Sequence, residues 1–515
     1  MVGTPIAQVF WAGRIIRSLV PGGQMTDLCA MGAIELAAGI REHRFSAVEA
    51  TEEALARMEA LEPTLHAFCT PTPELALDTA RGIDAALAIG QTPGPLAGVP
   101  VGVKDLICTK GVRTVSGSPA YADFVPDEDD IVVERLRAAG AVILGKTNVP
   151  EFGYSGVGHN PVFETTRNPW NPERTSGGSS AGSGAAVASG MCPLALGSDG
   201  GGSVRIPAAH CGLFGMKASM GRVPLYPSCR DERYPGMSGW ESLEHIGPMA
   251  RSVADATLLL SVIAGPDPRD RHSIPCEDIH WLAAVGPREL RGLRVAYSAD
   301  WGYAAVDPEV RRVVGEAVRV FETDLGCTVE QADPGFPDPA EAFWALVAME
   351  TDLAGMRAMV EQYGAQMSPH VVAMVTREWT AKEFNAAIIQ RKQVTNSMWR
   401  FMQRYDLVLT PTLAVPPFAL GIQGPQRIDG RAVADSAWLA FTYPLNLTGQ
   451  PAASIPAGFT KDGLPVGLQI IGRHLDDDAV LRASAAFEHA RPWAARVPPM
   501  VAALSHRQTR KHART

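Results

Sequence analysis

Two serines and one lysine stand out by the company they keep. Ser179 lies in Ser176-Gly-Gly-Ser-Ser-Ala-Gly-Ser183, and Ser203 lies in Ser198-Asp-Gly-Gly-Gly-Ser203-Val-Arg205, 24 positions later. Lys104 precedes both, in Gly102-Val-Lys104-Asp105. Cleaving an acyl bond needs a nucleophile, a base, donors for the oxyanion and a proton for the leaving group. Serine is a weak nucleophile until a base activates it. A lysine is that base only when neutral, so its reference pKa of ~10.4 must be lowered by burial or nearby positive charge. Lys104 ends the apolar run Val99-Pro-Val-Gly-Val103, where burial is expected. Neighbours on a strand point to opposite faces, so Asp105 need not share its surroundings. Gly200, Gly201, Gly202 and Ser203 offer consecutive amides without Cβ obstruction, a nest able to hold an oxyanion. In this reading Ser203 attacks, Ser179 relays a proton between Lys104 and Ser203, and no histidine takes part.

Two other motifs point elsewhere and fail on physical grounds. Gly140-Ala-Val-Ile-Leu-Gly145-Lys146-Thr147 fits the phosphate-loop pattern. Its interior is a strand by propensity, and Asn148-Val-Pro150 gives no helix start after the lysine. Gly178-Ser-Ser180-Ala-Gly182 fits the nucleophile elbow. That motif would make Ser180 the nucleophile, yet none of His245, His272, His280, His370 and His474 has a distinctive setting.

The elements that must position these residues alternate between strand and helix. Helical spacing covers 31–62, 74–89, 131–139, 253–263, 308–323 and 478–490, and most of 339–404. The small, Ala-rich run 179–189 reads as a tightly buried helix. Strands are expected at 98–104, 141–144, 194–196, 293–296, 407–409, 453–455 and 466–471. Residues 222–246 carry Pro, Tyr, Arg and Trp without period and read as a loop or lid. The order predicts an α/β fold: one large domain, a mixed central sheet covered by helices on both faces.

Composition agrees with a globular enzyme. The chain has 515 residues, 46% hydrophobic and 20% charged. A net charge of -9 with no long basic run in its body argues against a nucleic-acid groove. Eight cysteines without a CxxC pair give no zinc or redox motif and read as small hydrophobes in a reducing, cytoplasmic compartment. Residues 1–24 hold Arg14 and Arg17 and no acid, in an apolar run too interrupted to span a bilayer. They read as an extension outside the fold or as a targeting or membrane-touching segment. The domain is expected over 25–495, with a tail over 496–515 whose basic end reads as disordered.

Taken together, Gly98-Val-Pro-Val-Gly-Val-Lys104-Asp105, Gly145-Lys-Thr-Asn148, the Ser176–Ser183 run, Gly197-Ser-Asp199 through Pro207, and Gly463-Leu-Pro-Val-Gly-Leu-Gln-Ile-Ile471 resemble the amidase signature family. The resemblance runs from about residue 30 to 495. It is nearest to the stand-alone branch of aryl acylamidases and nylon cyclic-dimer hydrolases. The resemblance implies Lys104 as catalytic lysine, Ser179 as a serine after a cis peptide bond and Ser203 as nucleophile. The same resemblance puts the oxyanion amides on Gly200, Gly201, Gly202 and Ser203. Ser180, Asp199 and Arg205 become supporting polar residues. Gly153 and Tyr154 match positions lining the substrate cleft, where Tyr154 either touches substrate or packs. One departure is Gly200, where many members carry Thr or Ile. The implied activity is hydrolysis of small-molecule amides through an acyl-enzyme, without metal or organic cofactor and without nucleic-acid or membrane partners, in a monomer or homodimer. Carbamate or ester hydrolysis on the same residues, and the amidase-type component of a tRNA-dependent amidotransferase, stand as alternatives.

Overall fold

Runs of valine, isoleucine and leucine between glycines form strands because branched side chains pack well on a pleated surface and glycine punctuates their ends. The computed structural model describes residues 27–276, 279–286 and 289–504. The segments assigned above to 1–24 and to the basic end of the tail lie outside the described residues. The strands, in chain order, are β1 Phe68–Pro71, β2 Pro100–Lys104, β3 Val142–Thr147, β4 Arg167–Asn168, β5 Asn171–Thr175, β6 Leu194–Ser198, β7 Phe214–Lys217 and β8 Ile246–Ala250. They continue with β9 Arg294–Tyr297, β10 Thr328–Gln331, β11 Leu407–Pro411, β12 Arg427–Ile428, β13 Arg431–Ala432, β14 Ala452–Phe459 and β15 Pro465–Ile471. Eleven of them form one sheet in the order β1-β3-β2-β6-β8-β7-β14-β15-β11-β9-β10. β2 runs parallel to β3 and β6, while β8, β7, β14 and β15 pair antiparallel, so the sheet is mixed. Helices flank it, as the alternation in the sequence predicts.

Register decides which residues meet at one edge. Val103 faces Leu196 across β2 and β6, so Lys104 and Ser198 end neighbouring parallel strands at the same side. Ser198 in turn pairs with Ile246, the first residue of β8. The residues just before β8 are thereby delivered to the ends of β2 and β6. Crevices outside the carboxyl ends of parallel strands are where open α/β sheets place ligands.

Several details depart from the sequence reading. The helix expected at 31–62 is two, Ala33–Arg41 and Ala47–Leu65. Ser46 caps the second, with Glu49 completing a capping box, so local side-chain hydrogen bonds broke a continuous pattern. The short strand at 141–144 extends through Lys146 and Thr147, which places the phosphate-loop lookalike inside the sheet. Lys146 is fully buried, and its amine donates to Ile107 O, Thr109 Oγ1 and Thr114 Oγ1. β1, β7, β8 and β10 are short and were not anticipated. Residues 222–245 hold no strand and a single turn of 3-10 helix at Ser228–Arg230, consistent with a loop. Residues 499–504 are helical, with Val501 buried.

Two apolar clusters result. The main core packs around the sheet. A second gathers Phe152, Tyr154, Phe343, Leu346, Met356 and Tyr443, half of them from a helical cap. The cap comprises helices Ala340–Glu350, Leu353–Tyr363, Pro369–Thr376 and Ala381–Phe401.

The all-small helix Ala181–Ala188 presses onto β3, and every one of its residues is buried. A Cβ on Gly182 would lie 2.1 Å from the Ala67 carbonyl oxygen and 2.3 Å from the Asn148 nitrogen. Both are backbone atoms that cannot step aside. Gly182→Ala is therefore expected to lower stability by about 1–3 kcal/mol. Gly82→Ala, on a helix with nothing within 4 Å of the new methyl, raises it by about 0.5–1 kcal/mol. Urea denaturation of the two variants checks the opposite signs.

Candidate active site

Lys104 is fully buried at the end of β2. Its amine donates to Ser179 Oγ at 2.7 Å, to Ser198 Oγ at 2.8 Å and to the Ser198 carbonyl at 3.1 Å. Burial lowers its pKa from that of a free lysine, against the pull of the Glu244 and Asp199 carboxylates, which favour the ammonium. Asp105 turns to the other side, as strand alternation requires, and accepts from the Val115 amide at 3.0 Å. Ser179 follows a cis Gly178–Ser179 peptide bond and is 2% exposed.

Ser203 sits where the glycine turn enters the helix Arg205–Cys211. Among the described residues its hydroxyl has no hydrogen-bond partner, and it is not bonded to Ser179. It opens instead into a cavity of about 400 Å³. Gly201, Tyr154, Trp240, Phe343, Trp379 and Trp438 are among the residues that line it. A smaller cavity of about 50 Å³ lies inward, reached by Gly153, Ser179, Ser198, Gly200, Trp240 and Glu244. Gly153 and Trp240 border both.

The glycine turn is held from behind. Asp199 and Arg205 are both fully buried, and the guanidinium meets the carboxylate through two bonds of 2.9 and 2.8 Å. Its remaining donors go to Asn446 Oδ1, Thr442 O and Gln469 Oε1, at 2.7, 2.9 and 2.8 Å. Burial would raise the Asp199 pKa, but Arg205 and Asn446 outweigh it and hold the carboxyl well below the usual range. Asp199 Oδ1 accepts the Gly202 amide at 2.7 Å, and Thr442 Oγ1 donates to the Gly201 carbonyl at 2.7 Å. The Gly202 amide is thus committed to Asp199 rather than to an oxyanion, a correction to the four-amide reading. The amides of Gly200, Gly201 and Ser203 have no acceptor among the described residues.

Ser180 is fully buried, and its hydroxyl donates to the Ser198 carbonyl at 3.2 Å and accepts the Ser198 amide at 3.3 Å. No histidine hydrogen-bonds to it, so the elbow motif is structural. Gly153 lies against Ser179, where an added Cβ would be 3.3 Å from Oγ. The Tyr154 ring lines the large cavity, while its hydroxyl is taken by Thr351 Oγ1 at 2.7 Å and by the Trp240 indole at 3.0 Å. Sequence reasoning missed Ser198, Glu244, Thr442 and Gln469. Glu244 carried one local signal, an acid two residues before the buried strand β8.

A family model described as amidase matches residues 49–481. The chain belongs to the amidase family. It is 37% identical to an acylamidase of Rhodococcus erythropolis, over 91% of this chain and 97% of that protein. It is 38% identical to a component of the glutamyl-tRNA(Gln) amidotransferase of Chloroflexus aggregans, over 93% of this chain and all of that one. Among solved structures, a bacterial aryl acylamidase of the amidase signature family superposes with a TM-score of 0.85 at 31% identity, over 91% of this chain and 98% of that one. A 6-aminohexanoate cyclic dimer hydrolase in complex with substrate superposes at 0.82 and 30%, over 92% and 100%. The protein is an amidase-family hydrolase of C–N bonds, with the single α/β domain of that family. Among the described residues no helix is long and apolar enough to cross a membrane.

Removing Arg205 strands a buried carboxylate. Arg205→Met is expected to cost about 3–5 kcal/mol of stability. Arg205→Lys does not restore it, since a compact ammonium cannot fill a planar fork of five donors. Denaturation midpoints of the two variants, read with unchanged slopes, check this.

Proposed function

We propose that the protein is a stand-alone hydrolase of small-molecule amides that works through Lys104, Ser179 and Ser203. The observation that carries the reading is the 2.7 Å contact of the Lys104 amine with Ser179, beside a Ser203 hydroxyl left open to an aromatic cavity. Neutral Lys104 takes the Ser179 proton while Ser179 takes that of Ser203, once the two hydroxyls close on each other around bound substrate. Apo sites often leave such contacts loose until substrate tightens them. Ser203 Oγ attacks the carbonyl carbon, and the tetrahedral oxyanion rests on the amides of Gly200, Gly201 and Ser203. As the C–N bond breaks, Ser179 passes a proton to the departing nitrogen and recovers one from Lys104. Water then enters by the same relay, its hydroxyl adding to the acyl carbon and its proton passing through Ser179 to Lys104. The C–O bond to Ser203 breaks, and Ser203 Oγ recovers that proton from Lys104 through Ser179. No step requires a metal or cofactor.

The cavity walls speak for apolar and aromatic substrates. Phe343, Trp344, Met374, Trp379 and Trp438 offer broad apolar surface, on which an anilide ring or aliphatic acyl chain loses water favourably. Gly153 and Tyr154 belong to this wall. A carbamate presents a carbonyl of similar shape and fits the same residues. A second reading rests on the similarity to the glutamyl-tRNA(Gln) amidotransferase component, which matches the acylamidase in identity. It requires partner proteins and a glutamine site; the wall's tryptophans favour the first reading, and Glu341, Arg377 and Asp435, which also line it, leave room for the second. Glutaminase activity, or co-purification with such partners, would favour it.

Ser203→Ala is expected to reduce kcat on anilides by ~10³-fold or more, and Lys104→Ala nearly as much. The Ser203→Ala variant also loses labelling by a fluorophosphonate probe. Most of the activity surviving in either purified variant would refute the assignment.

Because the base must be uncharged, kcat/KM rises with pH through the titration of Lys104. Burial places that midpoint below the range of a free lysine. A pH–rate profile on one anilide, from pH 5 to 10, checks both the sign and the position.

A further inference from the structure

The mechanism above leaves one charged side chain at the site without a role. Glu244 precedes β8, whose antiparallel register with β6 brings it to the glycine turn just past Ser198. Its carboxylate borders the small inner cavity together with Ser179, Ser198 and Gly200. It occupies room that exists only because residue 200 has no side chain. A Cβ there would stand 2.5 Å from Glu244 Oε2 and 2.3 Å from Trp240 Cε3. Gly200 therefore admits a carboxylate and an indole next to the turn.

Ser198 lies between this carboxylate and the amine. Its hydroxyl accepts from Lys104 at 2.8 Å, so its own proton is free to point elsewhere. The Glu244 carboxyl is the neighbour it favours in charged form. The other groups facing Glu244 are Asp199, Arg230, Cys229 and Tyr154. Asp199 belongs to Arg205. Arg230 pairs with Glu241 at 2.9 Å and Asp270 at 3.0 Å. Cys229 and Tyr154 are kept protonated by burial. Arg230 keeps Nε and Nη2 without a hydrogen-bond partner and favours the Glu244 carboxylate from its other side, while Lys104 and Ser198 favour it from the site.

We propose that Glu244 is a positioning residue for the hydrolysis: acting across the Ser198 hydroxyl, its carboxylate sets how firmly Lys104 keeps the proton that must leave before Ser179 can be deprotonated. This rests on Lys104 being the base. An anion near the amine stabilises the ammonium, so the carboxylate makes Lys104 a stronger base that is available at higher pH. The ammonium must still lose its proton to solvent before it can act as base, and the carboxylate raises the pH at which that happens.

The test compares kcat/KM against pH for the full chain and for Glu244→Gln and Glu244→Asp, with an anilide whose released arylamine is coloured. Loss of the carboxylate moves the acid limb of Glu244→Gln to lower pH by at least about one unit. Glu244→Asp, whose carboxylate is withdrawn by one methylene, moves it the same way by less, and decides the matter alone should the glutamine variant fail to fold. A limb that stays in place or moves to higher pH overturns the proposal. So does an activity loss that is uniform across pH, the mark of a purely structural side chain. Failure of the underlying reading looks different: Lys104→Ala would then keep its activity, whatever residue 244 does.

Discussion

An amine buried at the end of a sheet strand is the constraint on which the rest of this structure depends. Lysine is among the residues least tolerated without solvent, and water must be replaced group by group when it is enclosed. Here the replacements are two serine hydroxyls and one carbonyl, and with the lysine they bring three different places in the chain together. β2 supplies the lysine, the end of β6 supplies Ser198, and the turn before the helix Ala181–Ala188 supplies Ser179. Parallel pairing of β2 and β6 is what makes the two strand ends coincide. The sheet order is therefore part of the chemistry, because no other adjacency would give the amine these acceptors.

The second constraint is the opposite one, a turn that must remain open on one side. Three successive glycines cannot hold a fixed shape by their own preferences, since glycine is free over most of φ and ψ. The shape is imposed from behind by Asp199, Arg205, Asn446 and Thr442, which use the Gly202 amide and the Gly201 carbonyl as handles. An ion pair of this kind adds little net stability once dehydration is counted, but each partner is costly to leave alone. Its worth here is geometric, because it fixes the turn while the amides of Gly200, Gly201 and Ser203 stay without an acceptor among the described residues, at the cavity wall.

Much of this was legible in the residues themselves. The fold class followed from alternating strand and helix patterns, and Lys104, Ser179 and Ser203 stood in contexts that only a strand end or a glycine turn explains. The structure brings Lys104 and Ser179 together and opens Ser203 to the adjoining cavity. Harder to read were effects that depend on register. Ser198 looked like the start of a motif rather than an acceptor for lysine, and Glu244 was hidden in a loop. Only the pairing of Ser198 with Ile246 shows that the residues ahead of β8 return to the site. The Gly202 amide was miscounted for the same reason: sequence shows that a donor exists, not which way it points. Short strands such as β7 and β10 escaped because four residues carry too little periodicity to separate from a loop.

The division into two apolar clusters bears on how such an enzyme diversifies. Lys104, Ser179 and Ser203 sit on elements of the sheet-centred core, whereas much of the wall of the large cavity belongs to the helical cap. Lineages can thus exchange cap residues and acquire new preferences while the ancestral reaction centre stays as it was. The place where this independence ends is the seat of Trp240 against Gly200. A branched residue at 200 and an indole at 240 exclude each other, so those two positions are expected to change together over descent, as one inherited unit.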